Sequence, residues 1–139
     1  MDGKNKILLF GGTFNPIHNG HLIMAQEAVE RLSFNKVIFI PSATPPHKQT
    51  SLSFSHRLKM VKLAVDDVDY FEVSDIESKR EGPSYTIDTI KHFKRELRKN
   101  DKIHWLIGTD TVKEIKNWHK PKELFEECHF LIAERNPYR

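Results

Sequence analysis

Short apolar runs alternate with longer amphipathic stretches along this chain. Ile7-Leu8-Leu9-Phe10, entered from Lys6 and stopped by Gly11-Gly12, is unbroken and predicts a strand buried on both faces. From His21 to Leu32, the residues Leu22, Ala25, Val29 and Leu32 recur at helical spacing, with Asn19 or Gly20 as the expected N-cap. Lys36 to Ile40 is a second strand, β-branched and closed by Pro41. Ser42 to Ser53 reads as a loop, because Pro45 and Pro46 oppose a helix there. Ser55 is the expected cap of a helix with Leu58, Val61 and Val65 on one face. Tyr70 to Val73 is a short strand. Gly82-Pro83-Ser84 turns into a helix over Thr86 to Lys99, with Ile87, Ile90, Phe93 and Leu97 facing inward. Ile103 to Ile107 is a fourth strand, ended by Gly108. A helix pair broken near Pro121 leads to a fifth strand, His129 to Ala133.

This alternation, with most strands apolar throughout, predicts an α/β fold: a Rossmann-like doubly wound parallel sheet of about five strands with helices on both faces. Ligands of such sheets bind beyond the C-terminal ends of the strands, near the point where strand order reverses. The loops after strands one, two and four are therefore where chemistry is expected.

Composition refines the picture modestly. The 139 residues fit one domain, 1–139, and the hydrophobic share of 38% is slightly lean. The single Cys128 excludes an internal disulfide framework and a multi-cysteine zinc site, so a reducing, cytoplasmic setting is expected. No apolar run approaches the roughly 18 residues of a membrane span. Met1 to Lys6 leads straight into a strand, with no room for a signal peptide, so no membrane partner is expected. With 22 Lys and Arg against 19 Asp and Glu, the net charge of +3 does not demand nucleic acid. Lys91, Lys94, Arg95, Arg98 and Lys99 lie opposite an apolar stripe and read as a solvated face. A homo-oligomer is compatible with all of this.

The richest stretch is Gly11-Gly12-Thr13-Phe14-Asn15-Pro16-Ile17-His18-Asn19-Gly20-His21. A strand, two glycines and a helix start form the architecture of a phosphate site, where backbone N–H groups and a helix N-terminus meet an anion. The spacing is not that of a dinucleotide fingerprint, and strand two ends in Ile40-Pro41-Ser42 without the acidic residue that a ribose takes. No Walker loop is present. His18 and His21, three apart at a helix start, can face one phosphate, with Gly20 keeping the approach open. They lack the H-E-x-x-H pattern and an evident third ligand, so no metal site is expected.

The segment Gly11 to Leu22 resembles the first signature of the H-x-G-H nucleotidylyltransferase superfamily, with Asn15 where the usual pattern has Asp. That resemblance implies transfer of a nucleotide from a nucleoside triphosphate to a phosphate-bearing acceptor, with pyrophosphate released. Three further segments, Pro45-Pro46-His47-Lys48, Gly82 to Thr89, and Gly108-Thr109-Asp110 with Trp118-His119, resemble the bacterial nicotinate-nucleotide adenylyltransferases over nearly the whole chain. Each segment also has its own chemistry. Lys48 carries charge on a proline-stiffened loop, Thr86 opens a helix whose amides suit a carboxylate, and Trp118 offers a flat face to a cationic pyridine.

The resemblance implies ATP and nicotinate mononucleotide as substrates, with Mg²⁺ accompanying ATP, in a step of NAD biosynthesis. It implies catalytic roles for His18 and His21. It implies ATP and phosphate contacts at Gly11, Gly12, Thr13, Phe14, His18, His21, Gly108 and Asp110. Mononucleotide contacts are implied at His47, Lys48, Tyr85, Thr86, Trp118 and His119, with Trp118 stacked on the ring. Nicotinamide mononucleotide or pantetheine phosphate is the alternative acceptor, and a nucleotide-binding module without turnover is the alternative to an enzyme. The superfamily's second signature, a Ser/Thr-rich segment ending in Arg, has no counterpart before Arg139. The expectation is therefore a single nucleotidylyltransferase domain truncated at its C-terminus.

Overall fold

Five strands form one parallel sheet: β1 (Lys6–Gly12), β2 (Lys36–Pro41), β3 (Phe71–Val73), β4 (Lys102–Gly108) and β5 (His129–Ala133), ordered β3-β2-β1-β4-β5. The structure is a computed structural model that describes residues 5–43, 52–80, 85–97, 101–109 and 115–133. The central strand explains the unbroken apolar run. Leu8 and Phe10 enter one core with Leu106, while Ile7 and Leu9 enter the other with Trp105 and Ile107. Helices α1 (Asn19–Leu32) and α2 (Phe54–Val65) cover the first face through Ala25, Ala28, Val61 and Val65. Helices α3 (Thr86–Glu96) and α4 (Pro121–Glu127) cover the second through Ile87, Ile90, Phe93 and Leu124. Each fully buried Leu or Ile contributes roughly 1.5–3 kcal/mol of transfer free energy, so this two-sided burial dominates the stability of the sheet.

The doubly wound α/β fold is thus as expected. From β1 the chain winds outward through β2 and β3, then crosses back to β4 and β5 on the other side. Strand order reverses between β1 and β4, which places a crevice at their C-terminal ends. Gly12 at the end of β1 and Gly108 at the end of β4 border that crevice.

Several local expectations change. The N-cap of α1 is His18, not Asn19 or Gly20: its extended backbone and acceptor nitrogen satisfy the first turn better than a glycine can. Ser53, not Ser55, caps α2, accepting from the His56 N–H at 3.3 Å. Strand β3 begins at Phe71 rather than Tyr70. Helix α3 stops at Glu96, where the Leu97 N–H bonds the Phe93 carbonyl, and not at Lys99. Between β3 and α3 lies an unforeseen 3₁₀ turn, Ile76–Lys79. On the basic face of α3, Lys91 pairs with Glu123 and Lys94 with Glu127, so these lysines brace α3 against α4. The short turn Ile115–Asn117 precedes α4.

Candidate active site

At the C-terminal end of β1 the backbone makes an abrupt change. Phe14 takes φ 47°, a left-handed conformation that costs a side chain about 1–2 kcal/mol. Its ring is only 3% exposed and meets Phe10 edge-on at 5.4 Å, so packing offsets the strain. The same ring supports His21, whose imidazole stands edge-on to it at 5.0 Å. Phe14, expected to contact nucleotide, places its ring in the first core beneath His21.

His18 and His21 come together at the start of α1. Their rings stack with centroids 3.9 Å apart and planes 30° apart. His18 Nδ1 accepts from the Gly20 N–H at 3.0 Å, and the His18 N–H donates to His21 Nδ1 at 3.1 Å. This is a capping box made by two histidines. Its chemical consequence concerns tautomers. With each Nδ1 committed as an acceptor, the proton of each neutral ring resides on Nε2. Two N–H donors are thereby set at a helix N-terminus, where backbone dipoles already favour an anion. Gly20 is required by this arrangement, since a Cβ there would sit 2.8 Å from His18 Cε1.

The glycines after β1 have different reasons. A Cβ on Gly11 would lie 2.1 Å from Trp105 Cζ2, so the indole occupies that space. At Gly12 a Cβ would be 3.4 Å from the Phe14 ring, close to an ordinary contact. Gly108, at the end of β4, has comparable room, with Met24 Cε at 3.7 Å. Gly12 and Gly108 are therefore the two that leave the crevice open for an approaching group.

A second cluster forms where α3 begins. The Tyr85 and His119 rings stack at 4.2 Å and 20°. Trp118 and Tyr85 both pack, half-buried, against the second core. Thr86 is the first residue of α3, and Tyr85 as its N-cap makes no side-chain hydrogen bond to the first turn. The structure thus brings Tyr85, Thr86, Trp118 and His119 together. His47, Lys48 and Asp110 lie outside the described residues.

Two buried polar groups escaped the sequence reading. Arg57, 1% exposed, donates to the carbonyls of Thr13 at 2.8 Å and Ser42 at 2.6 Å, and through Nε to Leu52 at 3.2 Å. Burial pulls its pKa below the usual arginine range. Asn15, at the position where Asp was expected, accepts from the Leu52 N–H at 3.2 Å, so it shapes the loop as an amide. Behind α3, Thr89 donates to the buried carboxylate of Glu77 at 2.6 Å and accepts from Arg80 at 2.5 Å. Both groups had a sequence signal. Arg57 falls four residues before Val61 and eight before Val65, and Thr89 four before Phe93, so each is a polar residue inside an apolar stripe.

Residues 9–138 match the model of the cytidylyltransferase-like family. A probable nicotinate-nucleotide adenylyltransferase of Synechococcus sp. (strain JA-3-3Ab) is 40% identical over 134 residues, which are 95% of this chain and 64% of that relative. A relative of the same name in Caldicellulosiruptor bescii is 42% identical over 131 residues, 94% of this chain and 65% of its own length. The chain thus spans slightly less than two thirds of these curated relatives. Among solved structures, Plasmodium falciparum nicotinic acid mononucleotide adenylyltransferase complexed with NaAD superposes with a TM-score of 0.83 at 23% identity, covering 97% of this chain and 67% of that one. This last likeness is one of fold.

Proposed function

The chain belongs to the cytidylyltransferase-like family, and from that premise we propose that it transfers the adenylyl group of ATP to nicotinate mononucleotide, giving nicotinate adenine dinucleotide and pyrophosphate in NAD biosynthesis. The observation that carries this reading is the paired imidazoles of His18 and His21 at the start of α1, each accepting a backbone N–H at Nδ1. The names of the curated relatives support the acceptor.

In this reading the mononucleotide phosphate attacks the α-phosphorus of MgATP in line. One P–O bond forms as the bond to pyrophosphate breaks, and pyrophosphate leaves. The attacking phosphate is already an oxyanion, so the protein needs neither a nucleophile nor a general base. Its work is alignment and stabilisation of negative charge as it builds on the phosphate oxygens. His18 and His21 donate to those oxygens. Gly12, Thr13 and the backbone of Phe14 line the phosphate path with Gly11 behind them, and Gly108 and Asp110 border the nucleotide. Trp118 stacks on the pyridine ring, amides near Thr86 and His119 hold its carboxylate, and Tyr85, His47 and Lys48 complete the acceptor site. Residues 1–139 belong to one nucleotidylyltransferase domain, acting in the cytoplasm.

Among the described residues no helix is long and apolar enough to cross a membrane. The test is direct. The chain is incubated with MgATP and each of nicotinate mononucleotide, nicotinamide mononucleotide and pantetheine phosphate, and pyrophosphate and product are measured. Release with the first acceptor alone is expected. A preference for another acceptor overturns the substrate assignment. MgATP binding by calorimetry with no product from any acceptor leaves a binding module in place of an enzyme.

A further inference from the structure

The strongest unassigned feature is the guanidinium of Arg57. A charge this deeply buried ordinarily sits against a carboxylate. Among the described residues no carboxylate pairs with it, and its partners there are three backbone carbonyls and the Phe54 ring at 5.6 Å. As a purely structural device this is a poor choice, because a buried ion without an opposite charge costs more than an apolar side chain of similar size. The carbonyls it selects are informative. Thr13 follows β1, Ser42 follows β2, and Leu52 leads into α2, so one group ties together three segments at the C-terminal end of the sheet. Two further bonds run between the same segments: Asn15 to the Leu52 N–H at 3.2 Å, and the Ser42 N–H to the Gly12 carbonyl at 2.9 Å.

A trans peptide points its C=O and the following N–H in opposite directions. Turning the Thr13 carbonyl toward Arg57 therefore turns the Phe14 N–H away from it, and fixing the Ser42 carbonyl does the same for Ala43. We propose that Arg57 is a positioning residue for triphosphate recognition: by holding the Thr13 and Ser42 carbonyls inward, its buried guanidinium sets the Phe14 and Ala43 N–H groups outward as donors to the anionic substrate. The guanidinium also places a positive charge behind the loop, where a triphosphate gains from it without touching it. The inference rests on the reading of this crevice as a nucleotide site.

The experiment compares the whole chain with Arg57→Met and Arg57→Lys. MgATP affinity is measured by calorimetry, the urea midpoint by circular dichroism, and the Phe14 and Ala43 amides by NMR. Losing the charged hydrogen bonds is expected to weaken MgATP binding about tenfold or more in Arg57→Met. Arg57→Lys, which restores charge without the two-carbonyl grip, is expected to recover only part of that loss and still to displace both amide resonances. A structural role alone would move the midpoint and leave affinity in place. A folded Arg57→Met that binds MgATP within about twofold of the parent overturns the proposal. If that variant does not fold, Arg57→Lys is judged by the same criterion. Parent protein that binds no MgATP overturns the nucleotide reading itself, and the role of Arg57 with it, so the two failures are told apart by the first titration.

Discussion

Replacing Gly11 by alanine tests whether this glycine serves the core or the ligand. The added Cβ would lie 2.1 Å from Trp105 Cζ2 and 2.6 Å from Cη2, against about 3.5–4.0 Å for carbons in comfortable contact. Trp105 is 2% exposed and belongs to the core with Ile7, Leu9 and Ile107, so its ring has little room to retreat. Overpacking of this kind costs about 1–3 kcal/mol, and the reduced freedom of the unfolded alanine chain returns about 0.4–1 kcal/mol, leaving a net loss of about 1–2 kcal/mol. Trp105→Phe removes the outer ring atoms. It also removes an indole N–H that is buried without a partner among the described residues, which partly offsets the lost contacts. In that background Gly11→Ala should cost little. Urea unfolding of the four proteins of the cycle, at unchanged m-value, should therefore give a coupling of about 1–2 kcal/mol. A stable Gly11→Ala protein, or coupling within the roughly 0.3–0.5 kcal/mol error of additivity, would refute the packing explanation and return Gly11 to the phosphate site.

Other perturbations separate stability from chemistry. Gly20→Ala gains about 1 kcal/mol of helix propensity and loses about as much from the His18 cap, so its urea midpoint should barely move. Adenylyl transfer, measured as pyrophosphate release, should nevertheless fall by about 10²–10³, and retained turnover would exclude the paired-imidazole mechanism. His104 is held below the ordinary histidine range by burial first, then by His129, Lys6 and Lys102. A histidine neutral in the fold and free to charge when unfolded contributes stability above its unfolded value of about 6.5, and that contribution is lost as the pH falls toward the lower native value. His104→Gln should therefore flatten the decline of stability between about pH 7 and pH 5 in urea titrations, and an unchanged slope would assign that decline to other groups. The Cys128 thiol is pushed up to about 12 by burial, so alkylation of native protein near neutral pH should be slow and should accelerate in urea; rapid native labelling would contradict its buried placement.

The fold was legible because its determinants are local in sequence. A four-residue apolar run can satisfy both faces of β1 only in the centre of a covered sheet, and the helical stripes then have two faces to fill. The paired histidines were legible for the same reason, since three residues at a helix start suffice to bring them together. Contacts between distant segments were not. The three carbonyls around Arg57 come from segments up to 44 residues away, and Thr89 meets Glu77 from 12 residues away, a pairing no periodicity foretells. In both cases the readable part was a polar residue within an apolar stripe, which announces a buried partner without saying which one.

Gly11 and Gly12 make the limit concrete, because the sequence presents them as one pair with one purpose. Strand pleating sends them to opposite faces. Gly11 follows Leu9 to the second core, where Trp105 already fills the space a side chain would take. Gly12 follows Phe10, toward the Phe14 ring, and a Cβ there meets only van der Waals contact at 3.4–3.6 Å. No steric demand within the described protein accounts for the second glycine as it does for the first. The reason left for Gly12 is the approach of something outside the chain, and it stands at the last rung of β1, beside the loop that leads to His18 and His21 at the start of α1. The phosphate reading of the pair thus narrows to one residue and gains from the narrowing, because its neighbour's explanation is independent and can be tested without any substrate.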